Sequence, residues 1–261
     1  MMETPPRPLL EVRDLTCSLG GRLVLDGMSF EAGRGEIFGV MGMSGSGKST
    51  LLKQMIGLHR PVSGRILVSG VDITSATGEA RRSILRRFGV MYQSGALFGS
   101  MTLLQNVCLP LEEFTDLPKE ARELVARMKL KLVGLEGFEY HLPADLSGGM
   151  KKRAAIARAM ALDPEILFLD EPSAGLDPIT SASLDALIQS LAPTLGITFV
   201  IVTHELASIF AIADRVVMLD GRTKRIAAIG PPADLRDRCA DPWVRAFFRR
   251  EAEPAAASGA A

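Results

Sequence analysis

The chain has 261 residues, 47% of them hydrophobic, and its 30 Lys and Arg balance 30 Asp and Glu. That length fits one large domain or two small ones with ample material for a core, and the neutral balance removes the electrostatic case for wrapping nucleic acid. Three scattered cysteines, Cys17, Cys108 and Cys239, form no C-x-x-C pair, which argues against a disulfide framework or a zinc site and fits a reducing compartment.

The first eight residues are polar and proline-rich, with no apolar stretch of signal-peptide type. Leu9 to Thr16 alternates apolar and polar, and Leu23 to Phe30 follows Gly20-Gly21. This pattern predicts antiparallel strands on a sheet with one solvated face. Ile37 to Met41 is a short apolar run, as in a buried strand. It leads into Gly42-Met43-Ser44-Gly45-Ser46-Gly47-Lys48-Ser49-Thr50, and Leu51, Leu52, Met55 and Ile56 recur behind it at helical spacing. G-x-x-x-x-G-K-S between a strand and a helix is a phosphate cradle. Its glycines let the backbone close on the phosphates, and the helix N-terminus adds partial positive charge. Lys48 is placed for the β- and γ-phosphates and the Ser49 hydroxyl for Mg²⁺. A glycine-rich turn without a ligand would need neither flanking element.

Gly57 sits at a helix C-cap, Pro61 to Gly64 is turn chemistry, and Arg65 to Val68 is another strand. Glu79 to Arg87 reads as a helix with Ile84, Leu85 and Phe88 inward. Arg81, Arg82, Arg86 and Arg87 then form a solvated face rather than a binding patch. Phe88 to Gln93 returns to a strand and ends in a polar loop. Leu97 to about Leu162 is mostly helical, with Pro118 opening a long amphipathic segment. Ile166 to Leu169 is a strand. Helix, strand (Thr198 to Val202), helix and strand (Val216 to Leu219) follow, and Asp220-Gly221 turns into Arg225 to Ile229. The longest apolar run, Ile197 to Val202, is strand-sized, far below the roughly 20 residues of a membrane span, so any span must come from other chains. Such alternation predicts an α/β protein with a mostly parallel core sheet. We divide it into residues 1–250 as one domain, with a helical subdomain of about 95–164 inserted in the core, and 251–261 as a disordered Ala/Pro/Ser/Gly-rich tail.

Two further stretches carry chemistry. Asp170-Glu171 ends an apolar strand, where neighbours point to opposite sides. One carboxylate can hold Mg²⁺ beside Ser49 and the other can face the attacking water; by position Asp170 takes the metal and Glu171 the water. Ser147-Gly148-Gly149 opens a helix and is a second anion-ready site; alone it would read as an ordinary N-cap. Two phosphate-binding loops with one set of acids suggest that loops from different subunits share a nucleotide.

The P-loop, Gln93 after a strand, Leu146-Ser147-Gly148-Gly149, Asp170-Glu171, Leu176-Asp177 and His204 occur in this order. Over nearly the whole chain this resembles the ATP-binding subunit of an ABC transporter, a P-loop NTPase with an antiparallel β subdomain and an inserted helical one. The resemblance implies two copies head to tail, each ATP held between the P-loop of one and Ser147, Gly148 and Gly149 of the other. It implies that Gln93 touches Mg²⁺ and the attacking water and reports to a membrane permease, that His204 contacts the γ-phosphate, and that Asp177 communicates across the dimer. His59 and His141 receive no role.

Gln93-Ser94-Gly95-Ala96-Leu97-Phe98, Asn106-Val107, Leu109-Pro110-Leu111, Met150 after the two glycines and Asp177-Pro178-Ile179-Thr180 resemble the Mla-type ATPases of phospholipid trafficking and organic-solvent tolerance. That resemblance implies a homodimer on the cytoplasmic face of the inner membrane, partnered by an integral membrane permease, a small regulatory subunit and a lipid-binding protein, and no nucleic acid. It places permease docking at Gln93 to Phe98, where apolar Ala96, Leu97 and Phe98 either serve that contact or fold into the helical block. Pro242 to Arg250, with Trp243, Phe247 and Phe248, reads as a terminal helix on its own core before a docking helix. The aromatic residue that stacks on adenine in most ABC ATPases falls here at Leu19, forgoing part of the about 1–3 kcal/mol that aromatic stacking supplies. Glu205 follows His204 where Asp is usual. A soluble ABC protein acting on DNA or ribosomes would ordinarily carry long coiled coils or two ATPase domains, and a P-loop kinase would leave Ser147 to Gly149 and Gln93 unexplained.

Overall fold

The computed structural model describes residues 8–251. All of the predicted tail but Glu251 lies outside them. β1 (Leu10–Leu19) and β2 (Arg22–Ala32) pair antiparallel, and β3 (Ile37–Gly42) leads through the glycine-rich loop into α1 (Lys48–Met55). β4 (Ser63–Val68), β5 (Val71–Asp72), α2 (Gly78–Leu85) and β6 (Phe88–Met91) follow. Then come α3 (Leu103–Phe114), α4 (Lys119–Leu132) and, after a short 3₁₀ turn, α5 (Gly148–Ala159). The remainder alternates: β7 (Ile166–Asp170), α6 (Pro178–Leu195), β8 (Thr198–Val202), α7 (Leu206–Ile212), β9 (Arg215–Asp220), β10 (Arg225–Gly230), α8 (Pro232–Asp237) and α9 (Pro242–Arg249).

Two sheets result. One has the order β2-β1-β4-β5 and is antiparallel. The other, β10-β9-β3-β8-β7-β6, is parallel from β9 to β6, with β10 antiparallel at its edge. β3 lies between β8 and β9, so the strand order switches beside it. Crevices at such points, beyond the carboxyl ends of parallel strands, are where α/β sheets take ligands.

The parallel strands are apolar throughout because both faces are covered. In β7, Ile166 and Phe168 join one core with α1 and the antiparallel sheet, while Leu167 and Leu169 join a second with α3 to α6. In β8, Val200 and Val202 share the first core, and Phe199 and Ile201 the second. Each such side chain contributes roughly 1.5–3 kcal/mol on burial. The helical block therefore has no core of its own; α5 presses it onto the sheet. At Gly89 in β6 an added Cβ would lie 2.0 Å from the Ala159 carbonyl oxygen, so only glycine admits the end of α5 this close. A third cluster gathers Met41, Val216 and Met218 with Trp243, Val244 and Phe248. α9 thus packs on its own core, as the sequence favours. The Arg222 guanidinium lies 4.3 Å from the Trp243 ring centre.

Candidate active site

Strand register brings the predicted residues together. Val40 pairs with Val202, Val202 with Asp170, and Leu169 with Met91. The segments that follow four adjacent strands therefore emerge at one edge, carrying the glycine-rich loop, Glu171, His204 and Gln93. They surround a cleft of about 510 Å³ lined by Val24, Ser44, Gly45, Gly47, Lys48, Ser49, Thr50, Gln93, Asp170, Glu171 and His204.

Gly42 starts the loop with φ 149°, and a Cβ there would sit 2.7 Å from the Leu219 carbonyl oxygen. A side chain is therefore excluded on both conformational and steric grounds. Gly42 and Met43 contribute backbone: the Lys48 ammonium donates to their carbonyl oxygens at 2.7 and 3.1 Å. Burial pushes the Lys48 ammonium below its usual value, opposed by Glu171 and Asp170. Ser46, also predicted, is buried and does not line the cleft.

Asp170 and Glu171 depart from the alternation expected of strand neighbours. β7 ends at Asp170, and Glu171 has φ 46°, in the left-handed region. That turn swings both carboxylates into the same cleft. For a residue with a Cβ it costs of order 1–3 kcal/mol and persists only where the surroundings impose it. Glu171 is held on several sides. Its N–H donates to the Val202 carbonyl at 2.8 Å, and its Oε2 accepts from Thr203 Oγ1 at 3.0 Å. Its Oε1 lies 2.8 Å from His204 Nδ1. Its own carbonyl accepts from the Lys152 ammonium at 3.1 Å. Burial raises the Asp170 carboxyl, and the neighbouring Glu171 charge raises it further. Two acids in one cleft with different surroundings can divide their tasks, one holding a cation and one accepting a proton.

Ser49, Asp170 and Gln93 offer a hydroxyl, a carboxylate and an amide oxygen. This hard-oxygen set suits Mg²⁺, which takes few protein ligands and completes its shell with phosphate and water. No cluster of three or more His, Cys, Asp or Glu able to cage a metal occurs among the described residues.

Ser147, Gly148 and Gly149 do not line this cleft. Ser147 caps α5, accepting from the Met150 N–H at 3.3 Å, and both it and Gly148 are exposed. Gly149 packs against α6, where a Cβ would meet Thr180 Cγ2 at 2.4 Å. Asp177 caps α6, accepting from the Ile179 and Thr180 N–H groups at 3.0 Å each. Leu19 is exposed and outside the cleft lining; Val24 is the apolar residue on that wall. The Gln93–Phe98 loop is braced from within. Arg158 donates to the Ala96 and Gly95 carbonyls at 2.8 and 2.9 Å, and buried Asn106 bonds both backbone groups of Phe98. Leu97 joins the helical core, and Phe98 stays 55% exposed.

The ABC transporter family model matches residues 25–174, more than half of the chain and the span from the P-loop strand through Glu171. The chain is an ABC ATPase. It is 40% identical over 247 residues to the intermembrane phospholipid transport system ATP-binding protein MlaF of Escherichia coli K12, covering 95% of this chain and 91% of that one. It is 41% identical over 222 residues to the methionine import ATP-binding protein MetN of Brucella abortus, covering 84% of this chain and 60% of MetN. Among solved structures, the dimeric post-hydrolysis ATP-binding cassette MJ0796 bound to ADP and Pi aligns with a TM-score of 0.76 at 30% identity, covering 85% and 98% of the two chains. CbiO1 of Clostridium perfringens, part of the cbiONQ transporter complex, aligns at 0.80 with 29% identity, covering 88% and 91%. The predicted fold is therefore that of this ABC ATPase: a P-loop NTPase core sheet, an antiparallel sheet and inserted helices. No helix among the described residues is long and apolar enough to cross a membrane.

Three residues escaped the sequence reading: Val24, Thr203 and Lys152. Val24 lies in a strand upstream of the motif. Thr203 directly follows β8 and reads as one more β-branched residue at the strand's end. Lys152 reads as one of many cations on a helix.

Proposed function

We propose that this ABC ATPase powers phospholipid transport between membranes, acting as a homodimer on the cytoplasmic face of the inner membrane beneath an integral membrane permease. The observation that carries this reading is the extent of the MlaF match: 95% of this chain and 91% of MlaF at 40% identity, against 84% of this chain and 60% of MetN at 41%. A small regulatory subunit and a lipid-binding protein would complete the assembly. Methionine import is the second reading, favoured by the MetN identity.

Within the cleft, Lys48 and the loop N–H groups hold the phosphates of ATP. Ser49, Asp170 and Gln93 would hold Mg²⁺, which would supply charge neutralisation for phosphoryl transfer. Glu171 accepts the proton of the attacking water, kept in line by Thr203 and His204. Ser147, Gly148 and Gly149 of the second copy close over the γ-phosphate with backbone N–H groups, a hydroxyl and a helix N-terminus. Closure pulls on the permease through the surface around Gln93 to Phe98, and hydrolysis reopens the pair.

The test is reconstitution in lipid vesicles with the membrane permease that co-purifies with this chain. Lipid-binding protein loaded with phospholipid should change ATP turnover, and labelled phospholipid should move only with ATP. Stimulation by methionine with its binding protein, and none by phospholipid, would favour the second reading. Association with nucleic acid or ribosomes and with no membrane protein would overturn both. Lys48→Ala should weaken ATP binding itself.

A further inference from the structure

We propose that Lys152 is a positioning residue that clamps the Glu171 backbone and the Gln93 loop to α5, tying the cleft of one subunit to the helix whose N-terminus faces the nucleotide of the other. The inference rests on the roles proposed above for Glu171, Gln93 and Ser147.

Lys152 lies five residues after Ser147 and is 7% exposed. A buried ammonium is unfavourable unless its protons are used. Its Nζ donates to the Gln93 carbonyl oxygen and, at 3.1 Å, to the Glu171 carbonyl oxygen. Both acceptors are backbone atoms, so Lys152 fixes where these two residues leave the chain without occupying their side chains. Glu171 has the left-handed φ of 46°. Thr203 and His204 hold its carboxylate. Lys152, together with the Ala174 N–H at 3.2 Å, holds its carbonyl. The turn is thereby fixed from both ends. Arg158 stands six residues further along α5 and takes the Gly95 and Ala96 carbonyls. Gln93 to Ala96 is thus pinned along one helix, and any tilt of α5 moves the loop and the Glu171 turn together. An apolar residue of the same length would fill the space and leave these carbonyls without their charged donor.

The experiment compares Lys152→Met, Lys152→Gln and Lys152→Arg in the full chain with its permease, reading ATP affinity, kcat and thermal unfolding, with Glu171→Gln as reference. Lys152→Met should keep ATP affinity within about threefold while kcat falls at least about tenfold, the effect of losing charge-assisted hydrogen bonds. Lys152→Arg, which retains donors, should recover most of kcat. An undiminished kcat in Lys152→Met would overturn the clamp. So would a parallel loss of affinity, kcat and melting temperature that Arg does not restore, since that marks a packing role. If Lys152→Met does not fold, Lys152→Gln decides: its amide is too short to bridge both carbonyls, so an unchanged kcat overturns the clamp and a lowered kcat with intact affinity supports it. Full activity of Glu171→Gln would instead remove the assignment of the base, a separate failure. Turnover is read as phosphate release, so the identity of the transported lipid does not enter.

Discussion

Thr203 Oγ1 donates a 3.0 Å hydrogen bond to Oε2 of Glu171. Thr203 is fully buried, so its hydroxyl has a fixed direction and Glu171 a fixed partner. Thr203→Val keeps the shape and removes the donor. Turnover should fall about tenfold with little change in ATP affinity, the effect of one hydrogen bond to a charged group. Steady-state kinetics beside equilibrium nucleotide binding would check it.

Glu171→Gln removes the proton acceptor and leaves the cleft's shape. Hydrolysis should drop by about 10²–10⁴, the range general-base catalysis contributes. ATP should still bind, and the bound dimer should accumulate on gel filtration. Wild-type turnover in this variant would remove Glu171 from the mechanism.

Ser147→Ala in both copies should end hydrolysis while each isolated subunit still binds ATP through Lys48. The serine also caps α5. Alanine there should therefore cost about 1 kcal/mol of stability as well. Ser147→Asn preserves a capping acceptor, so it separates the two effects. If it restores the melting temperature and not the turnover, the hydroxyl acts on the shared nucleotide.

Gly89→Ala forces a methyl to within 2.0 Å of the Ala159 carbonyl oxygen. The obstacle is backbone, so α5 must shift. The loss should be about 1–3 kcal/mol or more, the cost of overpacking a core. Because α5 also carries Lys152, turnover should fall in the folded fraction. Urea unfolding and specific activity measure the two parts.

Asp220 is buried and accepts from the Arg222 N–H and Nε at 2.8 and 3.0 Å and from Thr223 Oγ1 at 3.1 Å. Burial alone would raise its carboxyl; the bonds from Arg222 and Thr223 override this and hold it below its usual value. A carboxyl lowered on folding stabilises above its unfolded value, near pH 4, and loses that contribution as pH falls through the folded value. Asp220→Asn should therefore cost about 1–2 kcal/mol at pH 7, discounted for the exposure of Arg222. The gap from wild type should narrow below about pH 4. Urea midpoints across that range would check the sign.

The parts of the cleft that occupy consecutive residues were legible in the sequence. The loop from Gly42 to Thr50 needs a strand before it and a helix after it, and both leave periodic traces. Asp170 is legible because it closes an apolar strand, whereas Gln93 and His204, which stand after strands, take their roles from the resemblance in motif order. The residues that went unread act across long separations. Lys152 reaches Gln93 over 59 positions and Thr203 reaches Glu171 over 32, distances at which local periodicity carries no information. Asp170 and Glu171 break strand alternation for a local reason, since the chain leaves strand geometry at Glu171. Leu97 and Phe98 divide the two expectations between them. One folds into the helices and the other stands out from them. The helical block was visible by its period, but its sharing of a core with the sheet depends on Gly89, whose missing side chain leaves no pattern.

The Lys48 ammonium rests on the carbonyls of Gly42 and Met43, inside the loop that would cradle phosphate. The loop is thus self-laced: its own carbonyls fix where the ammonium stands. An ammonium has three donors, so one stays available for phosphate oxygens, and the backbone is already in a receiving shape. Most of the ordering entropy was spent at folding. Nucleotide affinity should then respond steeply to the charge on the incoming phosphates and weakly to the base, in a site whose nearby apolar wall is a single Val24.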